Sequence, residues 1–145
     1  MAQTWAYFDT STYLKNFVKE SGSAQARKFT AKHRILSSAL LSVECFSALK
    51  RKRLAGELKS RELDTLTKKI RTSLTHIEII RLTDEVIARA ELIVASSPVR
   101  SLDALHIASA LIFQQAVQIS LLFVTSDIRQ LEAAHAHGFA TVFVE

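Results

Sequence analysis

One cysteine, one proline and three glycines are all that the 145 residues provide, and each scarcity removes a class of protein. A lone thiol, Cys45, cannot build an internal disulfide framework and fits a reducing cytoplasm. It also leaves no Cys/His spacing of the kind that holds zinc. Cys45 sits in a helical pattern beside Val43 and Phe46, the setting of a buried, inert thiol rather than a nucleophile. With so little glycine and proline there is no linker or low-complexity tract, and no internal repeat is visible. Residues 1–145 are therefore expected to form a single domain, long enough for a proper core. Gly22, Gly56 and Gly138 fall at the ends of helical patterns, and Pro98 separates two such patterns. Also missing is an apolar run long enough to cross a bilayer. The most apolar stretch, 105–124, is interrupted by His106, Gln114, Gln115 and Gln118, which argues against a membrane span. The start, "MAQTWAYFD", has no basic region followed by a long apolar run, so no secretory leader is expected and the location expected is cytoplasmic.

What is abundant is hydrophobic residues, 48% of the chain, and positive charge, a net +5. The first figure argues against disorder. The second is unevenly spread. Residues 1–71 hold 15 of the 19 Lys and Arg against 6 acids, a balance of +9, and the remainder balances at −4. The clusters are "RKFTAKHR" (27–34), "KRKR" (50–53) and "KSRELDTLTKKIR" (59–71). Such blocks form solvated helix faces or neutralise phosphates, and charge alone does not distinguish the two.

Short β-prone runs alternate with helical patterns. The runs are "TWAYFD" (4–9), "RILSSAL" (34–40), "THIEIIRL" (75–82), "SLLFVTSD" (120–127) and "ATVFVE" (140–145). Helical periodicity occupies about 11–20, 23–32, 42–55, 60–73, 84–97, 101–118 and 128–137. This alternation predicts an α/β fold: a doubly wound parallel sheet of about five short strands covered by about seven helices.

In such a sheet, function gathers at the carboxyl ends of the strands. Asp9 ends the first strand and Asp127 the fourth. Glu44 is placed in the first turn of the helix after the second strand. Asp103 heads the apolar pattern "SLDALHIASAL" and joins the others if one of the two helices between strands three and four runs crosswise. Each acid alone has an ordinary reading. Asp9 and Asp127 suit helix caps, Glu44 suits a helix start, and Asp103 suits a first turn capped by Ser101. Four acids converging on one edge are different, because clustered carboxylates repel and raise one another's pKa. A divalent cation relieves that repulsion, and all-oxygen ligation points to Mg²⁺ or Mn²⁺. His106, amid the apolar face of its helix, suits a satisfied buried histidine better than a ligand, and Trp5 suits packing better than base stacking.

The chain resembles PIN-domain ribonucleases, most closely the toxin components of bacterial VapBC toxin–antitoxin modules, over essentially its full length. "AYFDTSTYL" resembles that family's first motif, "SSALLSVECFSALKR" its second, "SLDALHIASAL" its third and "FVTSD" its fourth. The resemblance implies Asp9, Glu44, Asp103 and Asp127 as metal-binding acids, with Thr125 and Ser11 as polar support. It implies a metal-dependent endoribonuclease using Mg²⁺ or Mn²⁺, with Asp103 or Asp127 orienting the attacking water. Lys50, Arg51 and Arg53, further along the helix that carries Glu44, then become candidates for RNA phosphates. The resemblance further implies a homodimer held against an antitoxin whose carboxyl-terminal segment lies along the acidic groove and places an arginine or other cation among the acids. Two other classes share the architecture. A non-catalytic RNA- or partner-binding module needs none of the four acids. A phospho-acceptor receiver domain needs adjacent acids after strand one and a lysine ending the last strand, where this chain has "YFDTS" and "TVFVE".

Overall fold

Alternate residues of the first strand, β1 (Trp5–Phe8), enter two different cores. The computed structural model describes residues 4–145; Met1 to Gln3, the very start of the segment read as lacking a leader, lie outside the described residues. Tyr7 joins Leu36, Leu121 and Phe123 in one apolar cluster, while Ala6 and Phe8 join Ile35 and Val124 in the other. That two-residue alternation is the pleat itself. All of these strand residues are buried, as expected for a parallel sheet covered on both faces.

The other strands are β2 (Arg34–Ser38), β3 (Glu78–Ile80), β4 (Leu121–Thr125) and β5 (Ala140–Phe143). They lie in the order β3-β2-β1-β4-β5, all parallel, with Tyr7 opposite both Leu36 and Phe123. The helices are α1 (Thr10–Leu14), α2 (Ser23–Lys32), α3 (Leu40–Leu54), α4 (Ser60–Leu74), α5 (Asp84–Ser96), α6 (Ser101–Val117) and α7 (Ile128–Ala136). Helices α1 to α4 cover the face with Ala6 and Phe8; α5 to α7 cover the face with Tyr7. The expected doubly wound sheet of five strands and seven helices is therefore present among the described residues.

Several boundaries differ from the sequence reading, each for a local reason. α1 stops at Leu14 instead of continuing to 20, because Asn16 Nδ2 turns back to Tyr13 O and Lys15 Nζ binds Ser21 O. α3 begins at Leu40, where Ser38 Oγ accepts the Leu40 N–H, so Glu44 lies in the second turn and not the first. β3 is only Glu78–Ile80, since Thr75 closes α4 by donating its hydroxyl to Thr72 O. α6 has Arg100 at its cap, and Ser101 supplies no capping bond.

Cys45 is fully buried, and burial followed by the neighbouring Glu44 charge pushes its thiol up to about 12. Trp5 packs edge-on against Phe113 at 5.2 Å, with the Arg34 guanidinium 4.1 Å over its ring. Both residues are thus packing residues. Among the described residues no helix is long and apolar enough to cross a membrane.

Candidate active site

Every strand of a parallel sheet ends at one edge, and β1 and β4, paired at its centre, both deliver an aspartate there. Asp9 follows β1 and caps α1; its backbone N–H donates to Val124 O at 3.3 Å, continuing the ladder. Asp127 follows β4 and caps α7, its Oδ1 accepting the N–H groups of Arg129 at 2.8 Å and Gln130 at 3.3 Å. Thr125, the last residue of β4, joins the two. Its hydroxyl donates to Asp9 Oδ2 at 2.6 Å and accepts the Asp127 N–H at 3.0 Å.

Asp9 is only 3% exposed. Its Oδ1 accepts from Ser11 Oγ at 2.8 Å and from Thr12 N at 3.1 Å. Ser11 in turn accepts the Ser126 N–H at 3.2 Å, tying the two strand ends together. Burial raises the Asp9 pKa, and the bonds from Thr125, Ser11 and Thr12, with the charge of His106, offset only part of that rise.

Asp103 reaches the same edge through α6. Gln114, in the last turns of α6, accepts the Leu121 N–H at 3.0 Å, which fixes the far end of the helix beside the start of β4. α6 therefore runs against the strands, with its beginning at their carboxyl ends. α5 leads from β3 to the start of α6 and packs in the same core cluster as α6. Asp103 is half-buried in the first turn. Burial, then the charge of Asp127, raise its pKa, and Asp9 adds to the rise against the opposing charge of His106.

Glu44 comes from α3 on the other face and is half-buried. Its Oε1 accepts from Thr10 Oγ1 at 2.7 Å and from His106 Nε2 at 2.6 Å. Burial pushes its carboxyl up, but the bond and charge of His106, with Thr10 and Arg51, outweigh it and leave the pKa lowered. His106 Nδ1 meets the Tyr7 hydroxyl at 2.7 Å. His106 is thus a satisfied buried histidine, as its position on an apolar face suggested, yet it sits among the acids.

Glu44, Asp103 and Asp127 line one hollow of about 460 Å³, with Asp9 behind it. Arg100 and Arg129 line it too, and neither forms an ion pair with an acid among the described residues. Arg51 lies beside Glu44 in an adjoining hollow, its guanidinium donating to Ser47 Oγ at 2.9 Å. Lys50 and Arg53 are exposed on α3 and line neither hollow. Sequence reasoning missed Thr10, Arg100 and Arg129. The signal for the arginines was their spacing, three before Asp103 and two after Asp127. A larger hollow, about 680 Å³, lies elsewhere, between the segment after α1 and the loop from α3 to α4. Its Lys52 is committed to Glu20 and Glu57, so it holds no comparable excess of acid.

The donor set suits a hard divalent cation. It is all oxygen, and both nitrogens of His106 are already committed. Among the described residues no three His, Cys, Asp or Glu side chains are placed to ligate one ion together.

These features define a class: a doubly wound parallel α/β domain whose strand and helix ends collect carboxylates at one sheet edge. The sequence matches the PIN domain over residues 6–136, and the chain belongs to that family. No curated protein matches it. Among solved structures it is similar to a toxin–antitoxin complex from Klebsiella pneumoniae, with 17% identity, a TM-score of 0.63, and coverage of 97% of this chain and 98% of that one. It is also similar to a DNA-bound VapBC from Salmonella typhimurium, with 15% identity, a TM-score of 0.64, and coverage of 99% and 100%. At such identities the likeness is one of fold. The family assignment removes the receiver-domain alternative, as does the strand order: β3-β2-β1-β4-β5 is not the 2-1-3-4-5 of receivers.

Proposed function

We propose that the protein is a Mg²⁺- or Mn²⁺-dependent endoribonuclease, the toxin of a toxin–antitoxin pair acting in the cytoplasm. The observation that carries this reading is Asp103, whose carboxyl is half-buried and set against the charges of Asp127 and Asp9. Such an arrangement is costly unless a cation neutralises it. The toxin assignment is supported by full-length similarity in fold to two toxin–antitoxin structures.

Asp9, Glu44, Asp103 and Asp127 would hold the ion between them, one or two directly and the others through waters that the ion retains, with Asp9 buried behind the hollow. A bound divalent ion lowers the pKa of its water and polarises a phosphate. Ser11 and Thr125 keep the Asp9 carboxylate in place. Asp127, exposed at the mouth, or Asp103 behind it orients the attacking water. Arg51, Arg100 and Arg129 contact phosphates flanking the cut, and Lys50 and Arg53 extend that basic track along α3.

The same geometry fits an antitoxin segment that inserts a cation among the acids. It also fits a homodimer. Ile87, Ala90, Val94 and Leu105 line a shallow apolar hollow of about 320 Å³ that a second copy would cover. Light scattering on the isolated chain tests the dimer, and a monomer at high concentration removes it. The activity is tested with Mn²⁺ and an unstructured RNA. Calorimetry is expected to register Mn²⁺ binding, and EDTA to abolish cleavage. Absence of Mn²⁺ binding, or cleavage that survives EDTA, would overturn the reading.

A further inference from the structure

A line of side chains runs from the middle strand to the acid edge. The Tyr7 hydroxyl meets His106 Nδ1 at 2.7 Å, and His106 Nε2 meets Glu44 Oε1 at 2.6 Å. Tyr7 is fully buried and His106 is 2% exposed. A carboxylate only accepts, so Nε2 carries the hydrogen. Thr10 donates to the same Oε1 at 2.7 Å. Glu44 Oε2 receives no hydrogen bond from the described residues, and Glu44 lines the hollow with Asp103 and Asp127.

A glutamate has several free torsions, and ordering it costs entropy unless neighbours fix it. Here two donors fix one oxygen and leave the other. Histidine suits the task better than lysine or arginine. A lysine or arginine stem would itself have to be ordered, whereas the imidazole offers an N–H at fixed reach from a ring whose other nitrogen is anchored by Tyr7. Ligand-orienting partners of this kind commonly govern metal affinity without touching the ion.

We propose that His106 is a positioning residue: backed by Tyr7, it fixes Glu44 through Oε1 and leaves Oε2 available to a divalent cation. This rests on the reading of Glu44 as one of the ion-holding acids.

The test is Mn²⁺ affinity by calorimetry, with an NMR signature alongside. His106→Met removes the donor at similar volume; His106→Gln keeps an N–H at comparable reach. His106→Met is expected to weaken Mn²⁺ binding about 10- to 100-fold, as Glu44→Gln does, and the double variant to be no weaker than Glu44→Gln alone. His106→Gln recovers most of the affinity. In the wild type, a slowly exchanging Nε2–H resonance is expected, and it moves in Glu44→Gln. If His106→Met fails to fold, Tyr7→Phe serves instead, since it keeps the ring and releases Nδ1. It is expected to weaken Mn²⁺ binding several-fold and broaden the resonance. Wild-type affinity in a folded His106→Met or Tyr7→Phe, or additive losses in the double variant, would overturn the proposal. If Asp103→Asn still loses Mn²⁺ in that case, only the role of His106 falls. If the wild type binds no Mn²⁺, both readings fall.

Discussion

Thr125 donates its hydroxyl to Asp9 Oδ2 at 2.6 Å and takes the Asp127 N–H at 3.0 Å, so one side chain fixes the acids of two neighbouring strands. Thr125 is fully buried, so both bonds are made away from solvent. Thr125→Val keeps the shape and deletes both bonds. It is expected to cost about 1–3 kcal/mol of stability, the penalty of leaving buried polar groups unpaired. The Asp9 carboxyl should then titrate higher still, having lost a bond that lowers it. Denaturant unfolding and carboxyl NMR titration measure the two effects.

The acids set the pH dependence of stability. Asp9 and Asp103 have raised pKa values in the folded state, so the folded protein holds protons that the unfolded chain has released. Stability from this source is greatest in acid and falls as pH rises from the ordinary carboxylate value through the raised ones. Glu44, with its lowered pKa, acts oppositely: its contribution is present above the unfolded value and lost as pH falls through the folded one. Asp103→Asn should therefore be more stable than wild type at neutral pH, with a higher Tm. The gap closes once the pH falls below the ordinary carboxylate range. Thermal melts across pH measure it, and a constant gap would show that Asp103 carries no such charge cost.

Much of this is legible in one dimension. The alternation of Ala6, Tyr7 and Phe8 between two cores follows from the pleat, and acids at strand ends follow from parallel topology. The long-range pairs are not legible. Tyr7 and His106 stand 99 positions apart and Glu44 and His106 62 apart, so in the sequence a histidine on an apolar face looks only like core. Counting charge by halves also points to the basic amino-terminal half. Yet Arg100 and Arg129, two of only four basic residues after position 71, are the ones that line the acid hollow. The extent of α1 is hidden because Asn16 and Lys15 end it through bonds to backbone, which no periodicity announces.

The position of each arginine ranks the basic residues. Arg51→Gln, Arg100→Gln and Arg129→Gln should each weaken RNA binding and lower the log–log salt slope by roughly 0.7 for every phosphate that is no longer neutralised. Lys50→Gln and Arg53→Gln should do less. Filter binding at several salt concentrations gives both quantities. Equal effects across all five would make the track along α3 as important as the hollow.

Gly22 has φ of +82°, and a Cβ there would collide with the Glu145 carbonyl. Gly22→Ala should cost about 1–3 kcal/mol, since both backbone strain and the clash must be relieved. Urea denaturation measures it. A neutral substitution would mean that the final residues yield easily.

Asp103→Asn bears most directly on the central claim that the converging carboxylates perform chemistry on RNA rather than merely shape the edge. The measurement is RNA cleavage and RNA binding in the same Mn²⁺ buffer, on variant and wild type with matching circular dichroism. The variant is expected to bind RNA as well as wild type or better, because a negative charge has left the groove, while cleavage disappears. A folded Asp103→Asn that still cleaves at the wild-type rate would contradict the claim.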